Sequence, residues 1–516
     1  MVQGIDFQSH IKKLNNIGIA LSSQTNLRVL LGMILKEARE FANADAGSLY
    51  IKEENKLHFE VSQNDTLDHR PGNEKESFQP YPLPITKKSI AGFITITGTF
   101  LNINDVYHIP ETEEYSFNRD FDDRNDYRTR SMLVIPMKDN EGEIIGVLQL
   151  INSMDSDRNV IPFAKEYEEL LLSLSSQAAV AIRNAKLIED IKRLFGALVQ
   201  YSASAIDARS PHTAGHSKRV ANLSIQIAKA INQEKEGSLA EVQFSPEEIE
   251  ELNFSAWLHD IGKIGVQEKI LEKATKLSED RIDVIKNRFN IIKLNIINEF
   301  TREKYAIIEE GIGDKSSIKK LSRNTELKLK KIDKDMEFIL RLNKQGFLND
   351  EDEVRLKKIY RKNYRDLEGT KKPYLTDYEF RNLSIKHGNL TAEEYQEIQS
   401  HVAYTLNIIK NIPFTHNLKN IPLYAAAHHE MLNGTGYPER LVGDEIPIQS
   451  RILAVADVYD ALVASDRPYK KALTPEQAIE VIKFEAENNR LDKNIINIFI
   501  ENKLYKTIPG ITTFIK

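Results

Sequence analysis

The sequence predicts a multidomain protein: an α+β domain over residues 1–190, then an all-α domain over 200–516 that carries a helical insertion. Three observations predict this. The chain has 516 residues, more than one hydrophobic core usually serves. Residues 1–190 mix strand-length apolar runs with helical patterns, and from about 164 onward the period is helical. Between about 272 and 385 the chain turns strongly polar, as in KSSIKKLSRNTELKLKKIDKD at 315–335, while its apolar residues keep helical spacing.

The elements follow in order. Leu27, Leu30, Leu31, Ile34 and Leu35 form one face of a helix. Ala46–Lys52 and Leu57–Val61 read as strands. Arg130–Met137 and Ile144–Ile151 repeat that signal across Asp139-Asn140-Glu141-Gly142, a hairpin turn. Five or six strands flanked by terminal helices are expected. A connecting helix spans 164–206. In it Leu171, Leu174, Ala178, Ala181, Ala185, Ile188, Lys192 and Phe195 step by threes and fours, a heptad seam with one polar break. That seam pairs with its copy in a homodimer or packs on its own sheet. Within 272–385, Ile282, Ile285, Phe289 and Ile292 mark a helix, and the basic run reads as a solvated face. This insertion is expected over or beside the active-site mouth, as a lid or a docking surface.

Composition excludes several classes. The net charge is −6, from 70 basic and 76 acidic residues, so charge gives no bulk reason to expect nucleic acid or membrane as a partner. There are no cysteines, which removes disulfides, thiolate zinc sites and cysteine nucleophiles. The start lacks a signal-peptide core, and no apolar run approaches the roughly 18 residues of a membrane span. A cytoplasmic protein is expected.

Six of the twelve histidines, His212, His216, His259, His401, His428 and His429, sit beside apolar residues in helix-like contexts. One such histidine is usually structural. Six in one helical domain, with Asp260 and Asp457, point to metal. His259 and Asp260 are neighbours, so both can enter one cleft near a helix end. A carboxylate can bridge two cations, which imidazole cannot, and two cations roughly 3.5–4 Å apart can activate water and neutralise a phosphate. Nitrogen and oxygen donors without sulfur favour iron or manganese. Adjacent side chains on a helix diverge by about 100°, so His428 and His429 both serve only if the cations lie to either side or the helix ends there. Lys263, at i+4 from His259, shares its face and can reach a phosphate. Gly434 and Gly436 allow a tight loop that Tyr437 and Pro438 stiffen. Tyr437 stacks on a base or packs. Arg467 and Lys470 contact phosphate or a buried carboxylate such as Asp460.

Two family resemblances add to this reading. SIAGFITITG at 89–98, NDYRTRSMLVIPMKD at 125–139 and GEIIGVLQLIN at 142–152 resemble a GAF domain, in the order such domains have. The resemblance is to those of cyclic-nucleotide phosphodiesterases, which carry an Asn-Lys, Phe, Asp-Glu signature. Asn152, Phe163 and Glu168 fit it. Ser153 and Tyr167 replace the Lys and the Asp, so both ends of an ion pair are missing. The resemblance implies a sensor that takes a small molecule of unknown identity or serves to dimerise.

HTAGHSKRVANLS at 212–224, LHDIGKIGVQEKIL at 258–271, LTAEEYQEIQSHV at 390–402, HHEMLNGTGYPERLVGDEIP at 428–447 and RILAVADVYDALVASDRPYKKA at 451–472 resemble the HD-GYP phosphodiesterases. By this resemblance the second half is an all-α HD-domain phosphohydrolase. It implies that His216, His259, Asp260 and Asp457 hold one cation. Asp260 bridges to a second, held by His401, His428 and His429. His212 stands where some members place a glutamate for a third metal. The implied substrate is cyclic di-GMP, cut to pGpG and then GMP, with Lys263, Gly436, Tyr437, Pro438, Arg467 and Lys470 facing it. The alternatives are another cyclic dinucleotide, 3′,3′-cGAMP, or a non-catalytic scaffold that binds dinucleotide or a diguanylate cyclase.

Overall fold

The computed structural model describes residues 15–21, 23–24, 26–69, 81–209, 215–309, 315–366, 368–464 and 472–506. The chain divides between Phe195 and Gly196 into two compact units.

The first unit is an antiparallel sheet between two helical layers. Its strands are β1 (Ala44–Glu53), β2 (Lys56–Asn64), β3 (Tyr81–Pro84), β4 (Leu101–Ile103), β5 (Met132–Lys138), β6 (Ile144–Met154) and β7 (Val160–Ile161). The order is β3-β2-β1-β6-β5-β4, with β7 beside β6. Seven strands exceed the five or six expected, because β3, β4 and β7 have two to four residues each, too few to show an alternating pattern. β1 is central and its first eight residues are buried, as a strand covered on both faces must be. Helix α1 (Leu27–Ala42) covers one face with Leu30, Leu31, Ile34 and Leu35. The Asn26 side chain accepts the Val29 N–H at its start, and Asn43 closes it in the left-handed region. Helix α2 (Ile90–Thr97) lies on the other face, against Met132, Val134 and Val147. The β5–β6 hairpin closes where Asp139 Oδ1 accepts from the N–H groups of Glu141 and Glu143, with Gly142 at φ 81°.

Helix α3 (Glu166–Arg209) carries the chain into the second unit. The expected seam needs correction here. Leu171, Leu174, Ala178, Ala181 and Ala185 are buried in the first unit's own core with Leu30, Ile34 and Leu148. Small alanines let α3 sit close to its own sheet, so this stretch is not a surface for a second copy. Ile188 and Lys192 are exposed.

The second unit is helical at its centre, with α4 (His216–Ile231) and α5 (Pro246–Leu258) packed together. Ser245 and Glu248 form a reciprocal cap at the start of α5, with Pro246 in its first turn. Residues 277–383 build a separate hydrophobic cluster. In it α6 (Glu279–Glu309) packs on α7 (Lys315–Lys344) through Ile285, Phe289, Ile292, Ile332 and Ile339. The segment is not wholly helical: Asn363–Arg365 and Lys371–Pro373 pair as a short hairpin. Its turn forms because Asp366 Oδ1 accepts from Glu368 and Thr370 N–H, with Gly369 at φ 80°, a signal hidden among charged residues. The two ends of the segment are tied together. Lys273 Nζ reaches Glu394 at 2.6 Å and Asn382 at 2.8 Å. Buried Lys276 donates to the carbonyls of Leu383 and Ile385. Glu394 also caps α8 (Ala392–Gln399), which leads directly into α9 (His401–Ile409).

Candidate metal centre and a cavity in the first unit

Five chain segments deliver histidines and aspartates to one buried place. His216 opens α4, after Gly215 at φ 71°. His259 caps the end of α5, and Asp260 starts the 3₁₀ turn Ile261–Gly265. His401 opens α9. His428 and His429 follow α10 (Ile421–Ala426), which ends before them, so both can face the same centre. Asp457 lies on α11 (Ile448–Val463). The neighbouring imidazole rings have centroids 4.1–5.8 Å apart.

The backbone sets the donor atoms. Nδ1 of His259, His401 and His428 lies 2.6–2.7 Å from the carbonyls of Ala256, Ile398 and Ala425. A carbonyl only accepts, so each Nδ1 carries the proton and each Nε2 presents a lone pair. All three Nε2 atoms are buried without a hydrogen-bond partner. An orphaned buried acceptor costs about 1–3 kcal/mol, and a cation resolves that cost. Three groups have ligand atoms within 4.8 Å of one another: His216–His259–Asp457, His259–Asp260–His428 and His401–His428–His429. Asp260 stands between them. Its Oδ2 lies 3.5 Å from His216 Nε2 and 3.4 Å from His259 Nε2, while its Oδ1 lies 3.3 Å from His401 Nε2. Asp457 Oδ1 is 3.2 Å from His216 Nε2. The donor set fits divalent cations.

The electrostatics agree. Burial pushes His428 well below its ordinary value and His429 down to about 4, and it lowers His401. Neutral imidazoles are the form that binds metal. Burial alone would lower His216 too, but Asp260, Asp457 and Asp460 raise it well above its usual range. Burial opposes the ionised Asp260, yet Lys263 and the histidines hold it well below the carboxylate range.

Lys263 requires a correction. The chain leaves the α-helix at His259, so Lys263 does not share a helical face with it. It lies in the 3₁₀ turn and ion-pairs with Asp260 Oδ2, three residues back. Its amino group still reaches the cluster. His212, Arg467 and Lys470 lie outside the described residues.

Tyr437 and Pro438 lie beside the cluster, with the Tyr437 ring 4.8 Å from that of His429. Gly436 must be glycine, because a Cβ would sit 2.4 Å from Met431 N and 2.6 Å from His429 O. Three supporting residues, Arg219, Glu430 and Thr405, were missed in the sequence, whereas Asp460 was read there as a buried carboxylate and is one. Asp460, fully buried, accepts from His216 Nδ1 at 2.8 Å and from Arg219 Nε at 2.7 Å. Arg219 is thus a cationic partner of this buried carboxylate. Buried Glu430 accepts from the N–H groups of Glu439, Arg440 and Leu441 and so anchors the loop after Pro438. Thr405 Oγ1 donates to His259 O and accepts from Gly262 N–H. Arg219 follows His216 by three residues, a spacing that could have flagged it.

The first unit holds a cavity of about 420 Å³ on the α2 face of its sheet. Tyr50, Phe59, Phe117, Phe121, Ser48 and Gln149 line it. Tyr50 and Phe59 stack at 4.9 Å. Asn152, Ser153, Phe163, Tyr167 and Glu168 are absent from its wall. Asn152 instead binds Arg130 N–H and Tyr127, Ser153 donates to Ala42 O, and Tyr167 packs on Phe41.

Fold and cluster together define a two-domain protein with an α+β unit that holds a cavity and a helical unit that holds a His/Asp cluster. The chain contains a GAF domain, matched over residues 26–182, and an HD domain, matched over 213–332 and again over 378–495. It is similar to 3′3′-cGAMP-specific phosphodiesterase 3 of Vibrio cholerae, 41% identical over 19% of this chain and 20% of that protein. It is also similar to the cyclic di-GMP phosphodiesterase response regulator RpfG of Xanthomonas campestris, 40% identical over 19% of this chain and 25% of that protein. The aligned segments thus span about a fifth to a quarter of these relatives. Among solved structures, a GAF domain from an Acinetobacter phosphoenolpyruvate-protein phosphotransferase aligns at 17% identity and TM-score 0.27, over 35% of this chain and 98% of that one. Among the described residues, no helix is long and apolar enough to cross a membrane.

Proposed function

We propose that this chain is a metal-dependent phosphodiesterase of the HD-GYP type. It hydrolyses cyclic di-GMP to pGpG and then GMP, and its GAF domain regulates it. One observation carries the reading: three buried, unpartnered Nε2 atoms converge on the two oxygens of Asp260. In this reading His216, His259, Asp260 and Asp457 hold one cation, and Asp260, His401, His428 and His429 hold a second. Iron or manganese suits imidazole and carboxylate donors without thiolate. When bound, such a pair lowers the pKa of water and neutralises charge on the phosphoryl group. The chain supplies the rest. Asp260 offers one oxygen to each side, Lys263 brings a positive charge to the edge of the cluster, and Tyr437 offers an aromatic face beside His429 for a guanine base.

A second substrate, 3′,3′-cGAMP, is favoured by the relatives bearing that name. Both dinucleotides present the same phosphodiester, so the cluster serves either and the loop near Tyr437 selects. The GAF cavity is the proposed site for a small effector, and the protein is read as a homodimer. The test is anaerobic purification, metal analysis, and turnover of cyclic di-GMP beside 3′,3′-cGAMP. Two bound cations with cyclic di-GMP turned over faster supports the proposal. Metal-loaded protein inert toward both dinucleotides overturns it.

A further inference from the structure

Helix α4 begins at His216 without a capping side chain of its own, because Gly215 stands before it. The cap comes from another helix. Asp207, buried in the last turn of α3, accepts the Ser217 N–H at 3.1 Å through Oδ2 and the Ser217 hydroxyl at 3.0 Å through Oδ1. A carboxylate there satisfies an orphan N–H and meets the positive end of the helix. Two residues on, Arg209 ends α3. Its guanidinium donates to three carbonyls in the stretch that follows Asp260: Ile264 at 2.9 Å, Val266 at 3.3 Å and Lys263 at 3.4 Å. A cation suits the carbonyl end of a helical turn.

Residues two apart on a helix diverge by about 200°. The end of α3 thus offers an anion to the segment that carries His216 and a cation to the segment that carries Asp260, all within the second unit. The turn after Asp260 is already close against α9: a Cβ on Gly262 would sit 2.0 Å from His401 O and 2.3 Å from Thr405 N. It cannot move nearer to α9, and Arg209 binds it from α3. We propose that Asp207 and Arg209 are positioning residues for the cation of the His216–His259–Asp260–Asp457 group. Asp207 acts through Ser217 and Arg209 through residues 263–266, and together they set how far His216 stands from Asp260. The inference rests on the reading of these four residues as holders of one cation. His401 opens α9 and His428 and His429 follow α10, so the second cation is expected to depend little on the end of α3.

Manganese(II) titration of the chelator-treated full-length protein reads this directly. The wild type is expected to take up two ions, and the step lost in His216→Ala identifies the first. Arg209→Ala and Asp207→Ala are each expected to weaken that step by about 10–100-fold and to leave the other within about twofold. Asp207→Asn keeps an acceptor for the Ser217 N–H and is expected within about fivefold of wild type, the scale of one charge at a helix terminus. Arg209→Ala, at a half-buried position, keeps the test open if Asp207→Ala does not fold. Adding Arg209→Ala to His216→Ala is expected to leave the remaining step unchanged, which a general loosening of the fold would not. Equal weakening of both steps overturns the proposal, and so do unchanged titrations in both alanine variants. A wild type that takes up neither manganese nor iron(II) overturns the two-cation reading itself, and this inference with it.

Discussion

The His/Asp cluster and the GAF cavity both gather polar groups, but they are built on opposite principles. In the cluster, backbone carbonyls fix the tautomer of His259, His401 and His428 and leave three lone pairs with nothing to accept. The site is committed before any ligand arrives. In the cavity, polar groups satisfy one another, as Tyr50 Oη does with Gln149 Oε1 at 3.1 Å, and aromatic rings supply much of the wall. The cavity accepts a shape, whereas the cluster demands a charge. A change in the first should therefore act through chemistry, and a change in the second through occupancy.

The largest expected effect comes from Asp260→Ala. It removes the oxygens that face both halves of the cluster, so metal analysis should find both cations lost. Turnover should fall by roughly 10³-fold or more, the upper scale of losing one group that stabilises transition-state charge. Full metal content in this variant would break the contrast at its root. Asp460→Asn is next. His216 keeps a hydrogen-bond acceptor but loses the buried carboxylate behind it, and metal titration should show about 10–100-fold weaker binding. Glu430→Gln should leave metal content intact and raise KM by about tenfold, the scale of one charged hydrogen bond. A fall in metal content there would tie the loop to the cluster itself.

The pH response sharpens the same comparison. His401, His428 and His429 have folded values below 6.5. As pH falls below 6.5 the unfolded chain takes up protons that the folded chain refuses, so the metal-free second unit should lose stability from pH 6.5 down to about pH 4. His216 runs the other way. Its stabilisation is complete below 6.5 and is lost as pH rises through its raised value. Three groups outweigh one, so the denaturation midpoint in chelator should fall between pH 6.5 and pH 4. A flat profile would mean that these imidazoles are hydrated. The smallest effect is expected in the cavity. Ser62→Trp, which fills space on its wall, should abolish effector response while basal turnover and metal content stay within about twofold of wild type.

How legible each site was follows from the same difference. The cluster could be read because its chemistry is concentrated in a few residue types, and His216, His259, Asp260, His401, His428, His429 and Asp457 do meet in one place. Lys263 was read on the wrong geometry because the helix ends at His259, and a helix end inside an apolar run has no strong signal. Glu430 and Arg219 were hidden for another reason: a charged residue looks solvated until its partner is seen. The stripe on α3 had two readings, a seam with a second copy or packing on its own sheet, and the second holds for Leu171 to Ala185. Ala178, Ala181 and Ala185 fit a seam as well as Leu187, Ile191 and Leu194 do, and only the sheet decides which stripe is covered. The cavity offered no signal, since its wall is gathered from many segments.

The stem of the inserted segment carries a consequence of its own. Lys273 with Asn382 and Glu394, and Lys276 with Leu383 and Ile385, close the two ends on each other, so the 277–383 cluster hangs from a clasp rather than from the histidines. A clasp of this kind makes the segment a cassette. Its helices can lengthen, shorten or be exchanged for another module, and the chain still re-enters α9 in register with His401.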